Sequence, residues 1–160
     1  MDDWETLKAI RLAALQDAPT AFGVSHTTAA AYSDEQWRER AAGPHPLFLL
    51  AFRNSEAIGM IGGGVSAATG EYNLIAMWVK PEQRGSGAAA LLVNAIKASA
   101  IANGHGRIVL DVAPENTRAA AFYRRQGFVF LPEWEPLASH PQIQVQKMAW
   151  RSGAQNASST

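Results

Sequence analysis

A short glycine-bearing turn between two apolar segments is the first feature of the sequence that could do chemistry. The turn runs from Arg84 to Ala89, shortly after Val79, and an alanine- and leucine-rich segment follows it. Glycines allow a tight turn, and the first amide groups of a helix have no acceptors within that helix. These amides and the helix dipole attract anions. The turn therefore predicts a site for a diphosphate, with glycines that serve packing alone as the alternative.

The turn does not match the two common nucleotide-binding loops. It lacks the Gly-Lys-Ser/Thr ending of a nucleoside-triphosphate loop and the third glycine of a dinucleotide fingerprint. Neither ATP nor NAD is therefore indicated as the phosphorylated ligand.

The composition restricts the chemistry further. The chain has 160 residues, with 14 Lys and Arg against 14 Asp and Glu, and it has no cysteine. A net charge of zero creates no field that would gather nucleic acid or an anionic membrane, so an anionic ligand needs a local site. Without cysteine, disulfides, thiolate metal sites and covalent acyl-cysteine intermediates are excluded. The four histidines have no spacing typical of a triad or metal site, so we expect no metal.

The length predicts one domain with a single hydrophobic core. We expect this domain to span residues 1–151, and the small, polar residues 152–160 to form a flexible tail. The acidic start does not resemble a secretory signal, and no apolar run approaches the roughly 18 to 20 residues that cross a bilayer. We therefore expect a cytoplasmic protein without membrane or nucleic-acid partners.

Apolar periodicity predicts helices alternating with strands. The helical segments are 4–15, 33–40, 88–102 and 116–126, the second of them opened by a Ser33–Gln36 capping box. The expected strands are 47–53, 57–67, 71–79, 108–112, 128–131 and 143–150, with 132–141 as a loop. The glycine run 62–64 indicates either a bulge or close packing, or only backbone freedom. The fold class is α/β or α+β, a mixed sheet flanked by helices.

Two motifs in the second half of the chain resemble one enzyme family. The first motif is Arg84-x-x-Gly87-x-Ala89. It resembles the coenzyme A diphosphate motif of the GNAT N-acetyltransferase superfamily. The second motif is Asn116-x-x-Ala119-x-x-x-Tyr123-x-x-x-Gly127-Phe128. It resembles the strand–helix signature that follows the diphosphate motif in this family. Residues 11–22 are also similar to a segment of many small bacterial members. The resemblance implies an acetyl-CoA-dependent N-acetyltransferase whose mostly antiparallel sheet splays between its fourth and fifth strands.

The resemblance also implies how acetyl-CoA would be held as co-substrate. The backbone of Met77 and Val79 would pair with the pantetheine arm, much as an added strand pairs with a sheet edge. Asn116 would contact that arm, or would only cap the following helix. The diphosphate would be wrapped mostly by main-chain amides of Arg84, Gly85, Ser86, Gly87, Ala88 and Ala89.

Direct acyl transfer from a thioester to an amine needs a neutral amine, a polarised carbonyl and a proton for the leaving thiolate. The resemblance implies that Tyr123 is the general acid, with a core tyrosine as the alternative. Asn73 stands where several family members carry a glutamate base, and asparagine takes no proton. Glu71 on the same strand face is therefore the predicted base, acting through water, with a solvated glutamate at the end of the strand as the other interpretation. Asp111, Glu115 and an amine that arrives deprotonated are the alternatives.

Aromatic side chains in the first helices and in the loops could line a pocket for the acceptor. There are five candidates, each of which could instead belong to the core: Phe22, Tyr32, Trp37, Trp78 and Trp134. We expect chiefly Phe22 and Trp78 to line the pocket. Acidic residues that would bind a polycation are sparse nearby, so the predicted acceptor is a primary amine of a small molecule.

Two other functions and one assembly stay open. A non-catalytic acyl-CoA-binding or regulatory module would explain Asn73, and an acetyltransferase for protein or peptide amines would use the same motifs. The family's usual first strand has little room before the first helix, and the strand edge that it would leave could be covered by a second copy. A homodimer is therefore expected.

Overall fold

The computed structural model describes residues 4–18, 25–42, 47–113, 115–137 and 140–152. The helices in these ranges are α1 (Trp4–Asp17), α2 (His26–Ala30), α3 (Asp34–Ala42), α4 (Ala88–Ala102) and α5 (Thr117–Arg125). The strands are β1 (Leu47–Arg53), β2 (Glu56–Val65), β3 (Tyr72–Val79), β4 (Arg107–Val112), β5 (Val129–Leu137) and β6 (His140–Arg151). They form one six-stranded sheet in the order β1-β2-β3-β4-β6-β5, in which β3 and β4 run parallel and the other neighbouring pairs antiparallel. The predicted mixed α/β class is confirmed.

Helices cover the two faces of the sheet unequally. On one face, α4 and α5 pack on a core that crosses the sheet and includes Ile61, Ile96 and Leu110. On the other face, α1 and α3 pack through residues such as Leu7 and Trp37 on strands β1 to β3. Strands β1 to β3 are therefore covered by helices on both faces. Strands β4 to β6 are covered on the α4 and α5 face, and their other face carries charged side chains.

The parallel strands β3 and β4 are paired at one end only. Tyr72 lies opposite Ile108 and Asn73 opposite Val109, and these two fully described strands form no further pair with each other. A bulge in β3 follows, where Ala76 has a φ of 58°. A left-handed backbone costs a residue with a side chain about 1–2 kcal/mol, so the bulge is maintained by its surroundings. Beyond Asn73 the strands diverge and leave a wedge, which we call the β3–β4 gap.

Local sequence signals explain several elements. The capping box at α3 is present, because the Gln36 amide donates to Ser33 Oγ (3.1 Å) and the Ser33 amide donates to Gln36 Oε1 (2.8 Å). A Cβ at Gly62 would lie 2.9 Å from Ile75 and Phe48, and one at Gly63 would lie 2.8 Å from the Tyr72 hydroxyl. The glycines of β2 therefore serve close packing, which was one of the two predictions.

Two secondary-structure predictions were wrong. Residues 132–141 do not form a loop, because β5 continues to Leu137 and β6 begins at His140. Strand β5 lies at the sheet edge, where prolines without an N–H are tolerated, and a bulge opposite Lys147 absorbs its extra residues. Helix α2 was missed because five residues are too few for a periodic pattern. Its visible signal is the Ser25 cap, which accepts from the Thr28 amide at 3.1 Å.

The described chain begins with helix α1 and ends beside the start of β4. No strand precedes α1 among the described residues, so the strands that splay are the third and fourth of this chain. The predicted tail, 152–160, lies outside the described residues except for Ser152. The Ser152 amide donates to the carbonyl of Gly106 at 2.7 Å, beside the start of β4.

Candidate active site

A cleft of about 720 Å³ lies beside the β3–β4 gap, between the end of β3 and helix α5. One wall is the end of β3, from Met77 to Val79, and another is the glycine-bearing turn. The opposite wall is one side of α5, and the end of α1 contributes Asp17. The cleft therefore brings together the two motifs that were singled out in the sequence.

The turn has the backbone conformation that its glycines allow. Gly85 and Gly87 have φ values of 87° and 91°, and a Cβ at either would meet no atom within 4 Å. Gly87 is the N-cap residue of α4, and no side chain caps this helix. The first amides of α4 are therefore available at the cleft, and the empty space above the glycines is where an anion can approach them.

Arg84 connects three parts of the cleft wall. Its Nε donates to the Val79 carbonyl (3.1 Å), and its Nη2 donates to Asp17 Oδ2 (3.0 Å). The same carboxylate oxygen accepts from Trp78 Nε1 at 3.0 Å. These two donors, Trp78 first, hold the pKa of Asp17 below its usual range. Asp17 was not predicted from the sequence, because the end of a helix gives no local sign of a partner 61 residues away.

The edge of β3 that faces the gap offers backbone groups. The Lys80 amide donates to the Ile58 carbonyl of β2 (2.8 Å), so by alternation the backbone of Val79 faces the other way, toward the gap. Arg84 already occupies the Val79 carbonyl, which leaves the Val79 N–H. Met77 and Val79 both line the cleft, and their pairing with a pantetheine arm stays a prediction.

Tyr123 lies in the cleft wall with little contact with solvent. Its side chain is 8% exposed, and its ring packs edge to face against Phe122 (5.3 Å) and Phe128 (5.7 Å). Among the described residues, its hydroxyl has no hydrogen-bond partner. Burial raises the pKa of the phenol, so Tyr123 is protonated throughout the neutral range.

Asn116 is suited to both roles that the sequence left open. Its Oδ1 accepts from the Ala119 amide at 3.3 Å and so caps α5. The residue also lines the cleft, where its Nδ2 has no partner within the described ranges. One end of the amide therefore holds the helix while the other end is available as a donor.

The proposed bases lie on β3 and β4 or next to them. Glu71 accepts from Lys147 (3.0 Å) and Arg107 (3.1 Å), and these cations, Lys147 first, lower the pKa of its carboxyl. By contrast, partial burial and the neighbouring Glu135 carboxyl raise the pKa of Asp111 to about 6. Glu71 is thus a weak proton acceptor, whereas the pKa of Asp111 lies near 6, and neither carboxyl is among the residues that line the cleft.

The remaining predicted residues fall into three groups. Trp78 lines the cleft, and Phe22 lies outside the described residues. The side chains of Ser86 and Ala88 belong to the turn and to the start of α4, but they do not line the cleft. The cleft residues that the sequence analysis missed are Asp17, Ala18, Gln83, Ala90, Arg118, Ala119, Phe122, Arg125 and Gln126. The α5 members could have been found from the helical spacing of Arg118, Phe122 and Arg125.

The described part of the chain has neither a group of metal-binding side chains nor a membrane-spanning helix. Within the described ranges, no three acidic or histidine side chains are grouped so that they could hold a metal ion. None of the described helices is long and apolar enough to cross a membrane.

Comparison with known proteins identifies the family. The chain matches the acetyltransferase (GNAT) family over residues 11–128. Because this match covers well over half of the sequence, the chain belongs to the GNAT acetyltransferase family. The predicted resemblance is therefore confirmed.

Solved structures agree with this fold. A GCN5-related N-acetyltransferase from Kribbella flavida is similar with a TM-score of 0.71 and 19% identity, over 93% of this chain and 92% of that one. An aminoglycoside 6'-N-acetyltransferase complexed with coenzyme A has a TM-score of 0.64 and 18% identity, over 91% and 90%. An Escherichia coli N-acetyltransferase for an alanine of a ribosomal protein has a TM-score of 0.65 and 17% identity, over 94% and 90%.

Proposed function

We propose that the protein transfers an acetyl group from acetyl-CoA to a primary amine of a small molecule, directly and within a ternary complex. The observation that supports this most is the cleft beside the β3–β4 gap, whose wall holds Tyr123 next to a glycine-bearing turn, with a hydroxyl that has no partner among the described residues. A ligand in the cleft could satisfy both the unpaired strand edge and the phenol that lies beside it.

The described residues fit acetyl-CoA as a co-substrate. The co-substrate supplies an acetyl group activated as a thioester. The N–H of Val79 and the amide of Asn116 are donors for its amide-bearing arm, and the first amides of α4 are donors for its diphosphate. Each donor faces the cleft without a competing side-chain acceptor, which supports this assignment.

Tyr123 would act on the leaving sulfur. As the amine nitrogen bonds to the acetyl carbon, the carbon–sulfur bond breaks and negative charge develops on sulfur. A phenol that stays protonated at neutral pH can donate a hydrogen bond to this charge and deliver the proton. Because a phenolate in this buried setting is unfavourable, the phenol then takes up a proton from solvent, and the proton that the amine releases goes to a separate base.

Asp111 is our choice for the base that takes the amine proton. Leu110 and Val112 belong to the same core as Tyr123, so Asp111 between them lies on the opposite face of β4. An amine that enters from that face would meet the acetyl group from the side away from Tyr123. A carboxyl group with a pKa near 6 is ionised at pH 7.5 and still basic enough to accept a proton.

The acceptor is assigned by what the cleft offers. Asp17 is the acidic residue among the side chains that line it, and the arginines there favour anions over polycations. Structural neighbours act on an aminoglycoside and on a ribosomal-protein alanine, so the family fold alone does not choose between the two classes. One carboxylate suits a small molecule with one or two amines better than a polyamine.

An acceptor screen tests the function. Release of coenzyme A thiol from acetyl-CoA is measured with a panel of small amines, aminoglycosides and N-terminal or lysine peptides. Turnover with a small amine, not reduced by competing peptides, is expected. Turnover with peptides alone would transfer the assignment to protein acetylation. Tight acetyl-CoA binding with no turnover on any acceptor would instead favour a non-catalytic acyl-CoA-binding module.

The setting of the enzyme is part of the same proposal. We place it in the cytoplasm, where acetyl-CoA is available. The outer edge of β1 is not paired with any described strand, and it is the surface that we assign to a second copy. Sedimentation at micromolar concentration should give the mass of a dimer, and a monomer of 17.2 kDa would refute this assembly.

A further inference from the structure

Two arginines in the cleft wall have no partner that explains them. Arg118 and Arg125 are exposed on α5, and both line the cleft. They are seven residues apart, so they lie two turns apart on one side of the helix, with Phe122 between them. Within the described residues, neither makes a hydrogen bond, an ion pair or a contact with an aromatic ring.

The helix itself gives no reason for Arg118. It stands at the second position of α5, where the positive end of the helix dipole disfavours a cation. The first turn of α5 contains no acidic residue that would compensate. A cation that is unfavourable for its own helix and directed at a cleft is better explained by an anionic ligand.

The third cation of the cleft is already engaged. Both donor groups of Arg84 that have partners are directed into the protein, toward Asp17 and the carbonyl of Val79. The diphosphate can be held by the uncapped amides of α4, which need no side-chain charge. Coenzyme A carries one more phosphate, a monoester on the 3' carbon of its ribose, and arginine is the side chain that pairs best with such a doubly charged group.

We infer that Arg118 and Arg125 bind the 3'-phosphate of coenzyme A, and that this pair lets the protein distinguish acetyl-CoA from acetyl-dephospho-CoA. The inference rests on the proposed use of acetyl-CoA. It makes α5 a helix that supplies the acid at Tyr123 on its buried side and selects the co-substrate on its open side.

Calorimetric titration with the two nucleotides tests the pair. Wild-type protein should bind acetyl-dephospho-CoA about ten- to hundred-fold more weakly than acetyl-CoA, as expected for one or two charge-assisted contacts. In the double variant that combines Arg118→Gln with Arg125→Gln, affinity for acetyl-CoA should fall to the affinity for acetyl-dephospho-CoA. Affinity for acetyl-dephospho-CoA itself should change little. Arg124→Gln is the control, since its guanidinium packs on the Phe130 ring (5.1 Å) and does not line the cleft.

Each result has a separate meaning. Equal wild-type affinities for the two nucleotides would overturn the inference and leave the acetyltransferase proposal intact. No binding of either nucleotide would overturn the acetyltransferase proposal. If the double variant still binds acetyl-CoA more tightly than acetyl-dephospho-CoA, other residues bind the 3'-phosphate and the inference is overturned. Both arginines are exposed, and unfolding midpoints of the single variants check that the fold is retained.

Discussion

At the scale of single residues, the hydroxyl of Tyr123 is the most informative group. Its ring is buried in the cleft wall, and among the described residues its hydroxyl has no hydrogen-bond partner. The surrounding Phe122 and Phe128 fix the ring, so the hydroxyl cannot turn elsewhere for a partner. The hydroxyl is therefore available to donate a hydrogen bond to a ligand group in the cleft, as in a preorganised active site.

Tyr123→Phe should separate chemistry from binding. Loss of the proton donor should lower kcat by about a hundred-fold or more, while affinity for acetyl-CoA and the unfolding midpoint stay within error. Tyr72→Phe is the matched control, because Tyr72 is equally buried but packs on His105 outside the cleft (5.3 Å). Steady-state thiol release measures both variants, and an unchanged kcat in Tyr123→Phe would refute the acid role.

Asp111→Asn tests the base through the pH profile. A base must be deprotonated, so kcat/KM of the wild type should show an acid limb with a pKa of about 6, separate from the titration of the acceptor amine itself. In Asp111→Asn the value should be lower and this acid limb absent. Glu71→Gln should keep the limb, because Lys147 and Arg107 already lower the pKa of Glu71. A limb lost in Glu71→Gln and kept in Asp111→Asn would return the role to Glu71.

At the scale of elements, the start of α4 combines two requirements that one residue type can meet. Gly87 needs a left-handed backbone to cap the helix, and it must leave the space above the amides empty. Only glycine meets both without strain. The turn was recognisable from its sequence for this reason, since the chemistry and the backbone demand the same residue.

Gly87→Val should therefore abolish binding of acetyl-CoA by filling the diphosphate space. Gly104→Val is the control, because Gly104 has a φ of 84° and open space as well, but it lies past the other end of α4. Both variants should lose stability to a similar extent, about 1–2 kcal/mol for the left-handed backbone. Calorimetric titration should detect binding in Gly104→Val only, and wild-type affinity in Gly87→Val would overturn the turn as the diphosphate site.

Elements with a local signal were predictable, and contacts across the fold were not. Helix α4 runs from Ala88 to Ala102 as its periodicity predicts, and Gly127 ends the α5 segment as expected. Strand β5 was missed because it contains prolines, which lack an N–H. Whether a strand residue needs its N–H depends on which side of the strand is paired, and that depends on the fold. Asp17 could not be predicted, since its role depends on Trp78 and Arg84 meeting the end of α1.

At the scale of the whole molecule, the two halves of the sheet are joined weakly. One half contains β1 to β3 and the other β4 to β6, and only two residue pairs connect them, at Tyr72 and Asn73. Helix α4 packs on both sides of this junction. A ligand in the β3–β4 gap would add bonds to both halves and so stabilise the folded state as a unit.

Acetyl-CoA should therefore raise the unfolding midpoint and protect backbone amides on both sides of the gap. At a concentration a hundred times its dissociation constant, the expected stabilisation is about 2.7 kcal/mol. Hydrogen exchange should slow at residues 74–79 of β3 and at the end of β4, with little change in β1. Protection confined to the turn would contradict the bridging role of the ligand.

The unpaired edge of β3 also has a consequence for how the protein must be handled. A free strand edge is a template for another chain, and here it is kept from its neighbour by the bulge at Ala76. Without ligand, partial opening of the gap would expose this template to other copies. Coenzyme A added during heating or concentration should accordingly reduce light scattering, so the co-substrate would also protect the protein against aggregation.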